Sequence, residues 1–234
     1  MPAKSKDILE TLYCEHRHTI DSHPHCFLMG NVGTKISNMY AKFTGKPWYT
    51  YPGYKIGYFD IEVDNLRADY GTMLTWTIKG KGSDKFVTGK ITQKELFNGT
   101  TDKRIVEEFI KEMQEYAILV GFYSSRFDIP YVRTRALIHN VEFPPYGRPY
   151  HFDLYYTVRN KFALSRNGLG RAVEVLLPEE EGKTHCSAST WALAKYGNPI
   201  AIDEILEYNK QDVAVTEKLH DRISPFATWP RRSI

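Results

Sequence analysis

The 234-residue chain has no apolar run of about 18 residues, so nothing in it reads as a membrane-spanning helix. Met1 to Asp7 carry charge with no apolar stretch behind them, which argues against a secretory signal and makes the cytosol the expected compartment. Three cysteines, Cys14, Cys26 and Cys186, are too few for a disulfide framework. No internal repeat is visible, and the only charge run, Glu179-Glu180-Glu181, reads as a solvated loop. A net charge of +3 is too mild to specify a partner. What remains, 42% hydrophobic and 25% charged residues, is the composition of a globular protein with one sizeable core, or a core plus a small appendage.

The most informative stretch is Tyr58-Phe59-Asp60-Ile61-Glu62-Val63-Asp64-Asn65-Leu66. Lys55 to Val63 is rich in aromatic and β-branched residues and reads as a strand; Asp64-Asn65 is turn chemistry. Side chains alternate along a strand, so Phe59 and Ile61 share one face while Asp60 and Glu62 share the other. Two carboxylates on one face of an apolar strand repel each other and lose hydration if buried. A divalent cation removes both penalties. Alone, Asp-X-Glu is better explained by a strand with one solvated face, and the rest of the chain has to raise the metal reading.

Further along, Gly71–Lys79 and Lys85–Thr88 read as strands, and Thr101 or Asp102 starts a helix to about Tyr116 with Ile105, Val106, Phe109, Ile110 and Met113 as its apolar stripe. Ala117–Phe122 is short and continuously apolar, as expected of a buried strand. Asp128 opens a helix to about Asn140, and with Pro130 in the first turn it suits an N-cap as well as a ligand. His151–Tyr156 reads as a strand or strand end, and helical pattern follows, broken near Asn167, Pro178 and Gly197. In the last helix Asp212 falls beside the stripe of Ile202, Ile205, Leu206, Val213, Thr216 and Leu219, with Tyr208 one turn earlier. A carboxylate facing a core costs several kcal/mol unless it is paired or binds a cation. Strands first and helices later imply a mixed sheet with helices on both faces.

The N-terminal segment has a different character. Cys14, His16, His18, His23, His25 and Cys26 put six metal-binding side chains within thirteen residues. Cys14, His18, His23 and Cys26 would make one structural zinc set, with His16 and His25 as alternates. A solvated loop is the competing reading. Residues 31 to 57 interleave Lys35, Lys42, Lys46 and Lys55 with Tyr40, Phe43, Trp48, Tyr49, Tyr51 and Tyr54, a combination suited to single-stranded nucleic acid or to packing onto the main domain. The expected division is therefore residues 1–54 as a Cys/His-rich and basic-aromatic segment and residues 55–234 as the main domain.

Phe59-Asp60-Ile61-Glu62 on an early strand, Arg126-Phe127-Asp128-Ile129-Pro130-Tyr131 after a later strand, and Tyr208 to Asp212 on a late helix together resemble the three motifs of the DEDD 3′–5′ exonucleases, tyrosine subgroup. That family, which includes the proofreading domains of family B DNA polymerases, has an RNase H-like fold, and the resemblance spans about residues 55 to 225. It implies two Mg²⁺ or Mn²⁺ ions roughly 4 Å apart. Asp60 would bridge them, Glu62 and Asp212 would hold one and Asp128 the other, with Tyr208 orienting the attacking water. The products would be nucleoside 5′-monophosphates. Leu66 matches a residue that wedges against the terminal base; Phe127, Lys183 and Lys210 are further substrate candidates. Asp153, in Asp153-Leu154-Tyr155, is expected to be structural. The chain departs from the pattern at Tyr123 or Ser124, where relatives often carry Asn, and at Val63, where they often carry Thr. The partner would be a free 3′ end, preferably of single-stranded DNA, with a replication or repair protein alongside. Rival readings are a catalytically silent nucleic-acid-binding module, a polymerase accessory and an RNA-directed exoribonuclease.

Overall fold

β1 (Ile56–Val63) is the middle of a five-stranded sheet ordered β3-β2-β1-β4-β5, with β2 at Met73–Gly80, β3 at Phe86–Lys90, β4 at Ile118–Gly121 and β5 at Tyr150–Asp153. The computed structural model describes residues 55–144, 149–179 and 185–227. The proposed zinc ligands Cys14, His18, His23 and Cys26, their alternates, the basic-aromatic stretch and Lys183 lie outside the described residues. β1 pairs antiparallel with β2 and parallel with β4, and β4 pairs parallel with β5. The carboxyl ends of β1, β4 and β5 therefore meet at one end of the sheet, where open α/β sheets place their ligand crevices.

Alternation along β1 divides the interior in two. Phe59 and Ile61 join Trp76 and Ile78 of β2 in a core closed by Ile105, Val106, Phe109, Ile110 and Met113 of α2 (Lys103–Met113) and by Ile129, Val132 and Ala136 of α3 (Asp128–Ile138). Ile56 and Tyr58 face the other way, with Val120 and Phe152, toward α4 (Leu154–Lys161), α5 (Leu169–Leu176) and α7 (Pro199–Ile223). Helices thus cover both faces, as the patterning requires. Phe109 is fully buried, and Phe109→Ala would cost about 3–5 kcal/mol. On the second face the Tyr58 hydroxyl meets His220 Nδ1 at 2.8 Å, and burial pulls His220 down to about 4, so its ring is neutral at pH 7.

Three elements differ from the sequence expectation. α1 (Gln93–Phe97) was not foreseen, although Thr92 and Glu95 form a complete capping box at its start. The segment read as a strand to Tyr156 stops at Asp153, because Asp153 Oδ1 accepts from Tyr155 N at 3.1 Å and starts α4. Asp128 is the first residue of α3 and makes no cap; the N-cap position belongs to Phe127. The long helix α7 starts where expected. Gly197 takes φ +77 at the end of α6 (Ala188–Lys195), Asn198 caps Ile200 and Ala201, and Pro199 fits the first turn.

Candidate metal centre

α7 crosses the face of the sheet that carries Asp60 and Glu62. Its seating is fixed by an ion pair between Lys79 of β2 and Glu217, whose other oxygen accepts from Gly82 N at 2.7 Å. This brings Asp212 down onto β1. Asp60, Glu62 and Asp212 each offer a carboxylate oxygen, and the three oxygens lie within 4.8 Å of one another. Asp212 is buried, and Asp60 and Glu62 are half-buried. Like charges this close in a low-dielectric setting are unfavourable unless a cation offsets them.

Asp128 reaches the same strand by a different route. β4 stops pairing with β1 at Tyr58, while β1 runs on to Val63. Asp128 Oδ1 takes the ladder position beyond that end and accepts from Ile61 N at 3.1 Å. It therefore stands between Asp60 and Glu62 in sequence register. The N-cap expected of Asp128 gives way to this strand-capping bond. Burial pushes the Asp128 carboxyl up to about 7, against the opposing effect of the Ile61 amide.

Two residues that the sequence reading passed over belong to this site. Asn209, one helical turn from Asp212, is fully buried and donates from Nδ2 to Asp60 Oδ2 at 2.6 Å. Its Oδ1 is buried with no partner. The signal was present in the spacing, since residues three apart share a helix face. Cys186 is half-buried near Glu62 and Asp212, and burial followed by the Glu62 charge raises its thiol pKa, which keeps it protonated. Thr75 and Thr77, directly opposite Glu62 and Asp60 in the ladder, carry buried hydroxyls with no partner. The donor set is all hard oxygen, with an orphaned amide oxygen alongside, and this fits Mg²⁺ or Mn²⁺.

The remaining candidates sit around this centre. Tyr208 is half-buried on α7, one turn before Asp212, and lines a groove of about 620 Å³ with His185, Cys186, Glu204, Glu207 and Gln211. Leu66 is 77% exposed, on the loop that follows a bulge in the β1–β2 ladder after Glu62. That loop is pinned at its base: Asp64 Oδ1 accepts from Thr72 N at 2.6 Å, and Arg135 Nη1 donates to Ala68 O at 3.1 Å. Arg135 also donates to the buried Asp102, which accepts from Met73 N at 2.7 Å and meets His139 Nε2 at 2.6 Å. Burial raises the Asp102 carboxyl, but the Arg135 and Met73 bonds outweigh it and hold the group below its ordinary value. Phe127 is half-buried against the first core with its ring 5.7 Å from Tyr131. Lys210 is paired with Glu207 at 2.6 Å. Asp153 has the structural role expected of it, accepting from Tyr123, Ser125 and Tyr155.

A model of the RNase H superfamily matches residues 57–224, which takes in the sheet from the second residue of β1 onward, α7 and all four carboxylates. The chain belongs to the RNase H superfamily. No curated protein matches it by sequence. Among solved structures, this RNase H-superfamily chain is similar to the family B DNA polymerase from the hyperthermophilic archaeon Pyrobaculum calidifontis, with a TM-score of 0.58 and 20% identity. The match covers 74% of this chain and 25% of the polymerase, so the chain spans about a quarter of that protein's length. At that identity the likeness speaks for the fold. Among the described residues no helix is long and apolar enough to cross a membrane.

Proposed function

We propose that the protein is a metal-dependent 3′–5′ exonuclease of the DEDD class, tyrosine subgroup, that shortens single-stranded DNA and releases nucleoside 5′-monophosphates. The observation that carries this reading is the convergence of Asp60, Glu62 and Asp212 within 4.8 Å, with Asp128 bound to the same strand at Ile61. Two divalent cations, Mg²⁺ or Mn²⁺, would supply the positive charge that activates water and stabilises the leaving oxygen. Asp60 would be shared between them, with Glu62 and Asp212 on one and Asp128 on the other. Asn209 holds the Asp60 carboxylate in one orientation through its Nδ2 bond. The Tyr208 hydroxyl would orient the attacking water. Water adds to the terminal phosphorus, the bond to the 3′ oxygen breaks, and that oxygen takes up a proton.

Leu66, on its pinned and exposed loop, suits a wedge against the terminal base, and Phe127, next to Asp128 in the chain, would be a further substrate contact. Lys183 and Lys210 would meet phosphate. Residues 1–54 are proposed as a separate segment in which Cys14, His18, His23 and Cys26 hold one structural zinc, and the polymerase likeness favours a replication or repair partner. Digestion of a 5′-labelled single strand with Mg²⁺ or Mn²⁺ tests the reading. The expected result is a ladder shortening from the 3′ end, lost in Asp60→Ala by orders of magnitude. Internal cleavage, or no hydrolysis with any divalent cation, would overturn it.

A further inference from the structure

Tyr123 adopts φ +63, in the left-handed region that favours glycine and asparagine, and the residue is 45% exposed. A bulky residue there carries backbone strain and recovers little of it through burial. Strain of this kind gathers where a side chain has a task. The ring is not isolated. Tyr155 stands edge-on to it with centroids 4.8 Å apart, and Tyr156 stands edge-on to Tyr155 at 5.3 Å. Phe122 also meets Tyr155 edge-on at 6.1 Å, so Tyr155 and Tyr156 are held half-buried while Tyr123 is the exposed ring of the three. Arg126, exposed, donates from Nε to the Tyr156 hydroxyl at 3.1 Å.

One carboxylate holds this cluster in register. Asp153 Oδ1 accepts from both Tyr123 N, at 2.8 Å, and Tyr155 N, at 3.1 Å. Its Oδ2 accepts from Ser125 N at 3.0 Å and Ser125 Oγ at 2.6 Å. The two ring-bearing segments are thus fixed to a single oxygen. The same turn leads directly into the acidic centre: Tyr123 O accepts from Phe127 N at 3.1 Å, and Asp128 follows. Its tight start depends on Gly121, where a Cβ would meet Ser124 Oγ at 2.3 Å.

We propose that Tyr123, Tyr155 and Tyr156 form a stacking platform for the unpaired bases of single-stranded DNA lying 5′ to the scissile bond, with the Arg126 guanidinium on the intervening phosphate. The proposal rests on the exonuclease reading, because it is the acidic centre beside the platform that calls for a DNA strand there. Rings fixed by packing accept any base on a π-face without sequence preference, and an exposed guanidinium supplies forked donors for phosphate. The platform makes the enzyme grip several nucleotides behind the terminal one.

The test uses the whole chain with Asp60→Asn as a background that binds without cutting. Fluorescence anisotropy reads the Kd of a labelled thymidylate decamer in Mg²⁺. Tyr123→Gly, which also relieves the strained backbone, and Tyr155→Ala should each raise Kd about tenfold; Tyr123→Phe should stay within about twofold of its parent. The Tyr123→Gly protein should melt at or above the parent temperature, which excludes unfolding as the cause. Binding of thymidine 5′-monophosphate, too short to reach the rings, should not change. Decamer binding unaltered by both ring losses overturns the platform, as does an equal loss for the mononucleotide. Tighter binding of a uridylate decamer with the same ring dependence overturns its assignment to DNA. If the unmutated chain binds with ring dependence yet never hydrolyses, the platform stands and the exonuclease reading falls. If it hydrolyses and the rings do not matter, only the platform falls.

Discussion

Replacing Asn209 by Ala separates a residue that serves the metal centre from one that merely fills the core. A carboxylate only accepts, so the amide must turn Nδ2 toward Asp60 Oδ2, which it does at 2.6 Å. A hydrogen bond to a charged group contributes about 1.5–3 kcal/mol. The same side chain buries Oδ1 with no partner, a penalty of about 1–3 kcal/mol that alanine removes. The two effects oppose each other at similar size. Stability without metal should therefore change by less than about 2 kcal/mol, a shift of a few degrees in a domain of this length. Metal affinity has no such compensation, because the Asp60 carboxylate loses the partner that orients it. A loss of about 10- to 100-fold in Mn²⁺ affinity is expected. Calorimetric titration of Mn²⁺ gives the affinity and urea denaturation of the metal-free protein gives the stability. Mn²⁺ affinity within about twofold of the unmutated protein, together with a large stability loss, would refute the orienting role.

Tyr208→Phe removes one hydroxyl and no charge, so its rate on single-stranded DNA should fall less than that of Asp212→Ala; equal losses would mean that positioning understates its role. The Asp128 carboxyl, raised from 3.8 to about 7 by burial, keeps its proton in the folded state where the unfolded chain has lost it. Its contribution is therefore full at low pH and lost as pH rises from about 4 through 7. Across that window the stability of the metal-free parent minus that of Asp128→Asn, from urea titrations at stepped pH, should fall by an amount on the order of 4 kcal/mol at most, a difference in which the opposite contributions of the buried His151 and His220, both lowered to about 4, cancel. Arg135→Ala leaves Asp102 buried without its counter-charge and should cost about 3–5 kcal/mol in urea denaturation. Because Asp102 is held below its ordinary value, that contribution is present above pH 4 and disappears as pH falls, so a destabilisation by Arg135→Ala that persists undiminished in strong acid would contradict the assignment.

Local periodicity carried most of the fold. Alternation in Tyr58–Val63 put Phe59 and Ile61 opposite Asp60 and Glu62, and the sheet buries the first pair against α2 and α3 while turning the second toward α7. The stripe at Ile105, Val106, Phe109, Ile110 and Met113 emerged intact because period 3.6 is a property of the segment alone. The spacing of Tyr208 and Asp212 put both on one side of a helix, and α7, 25 residues long, carries them. Even α1 was written in Thr92 and Glu95.

What no local pattern contains is where a strand loses its partner and which distant group fills the gap. Asp128 faces Ile61 only because β4 ends at Gly121 while β1 continues, leaving an amide that must be satisfied. Asn209 reaches Asp60 across 149 positions because the Lys79–Glu217 pair sets the height of α7 on the sheet. Asp153 could be read as strand or helix until Tyr123, Ser125 and Tyr155 were seen to share its two oxygens. Hydrogen bonds of this kind join segments whose order in the chain says nothing about their meeting. Side-chain period follows from backbone geometry one residue at a time, whereas these contacts depend on register, strand length and helix height, which are settled only when the whole sheet has closed.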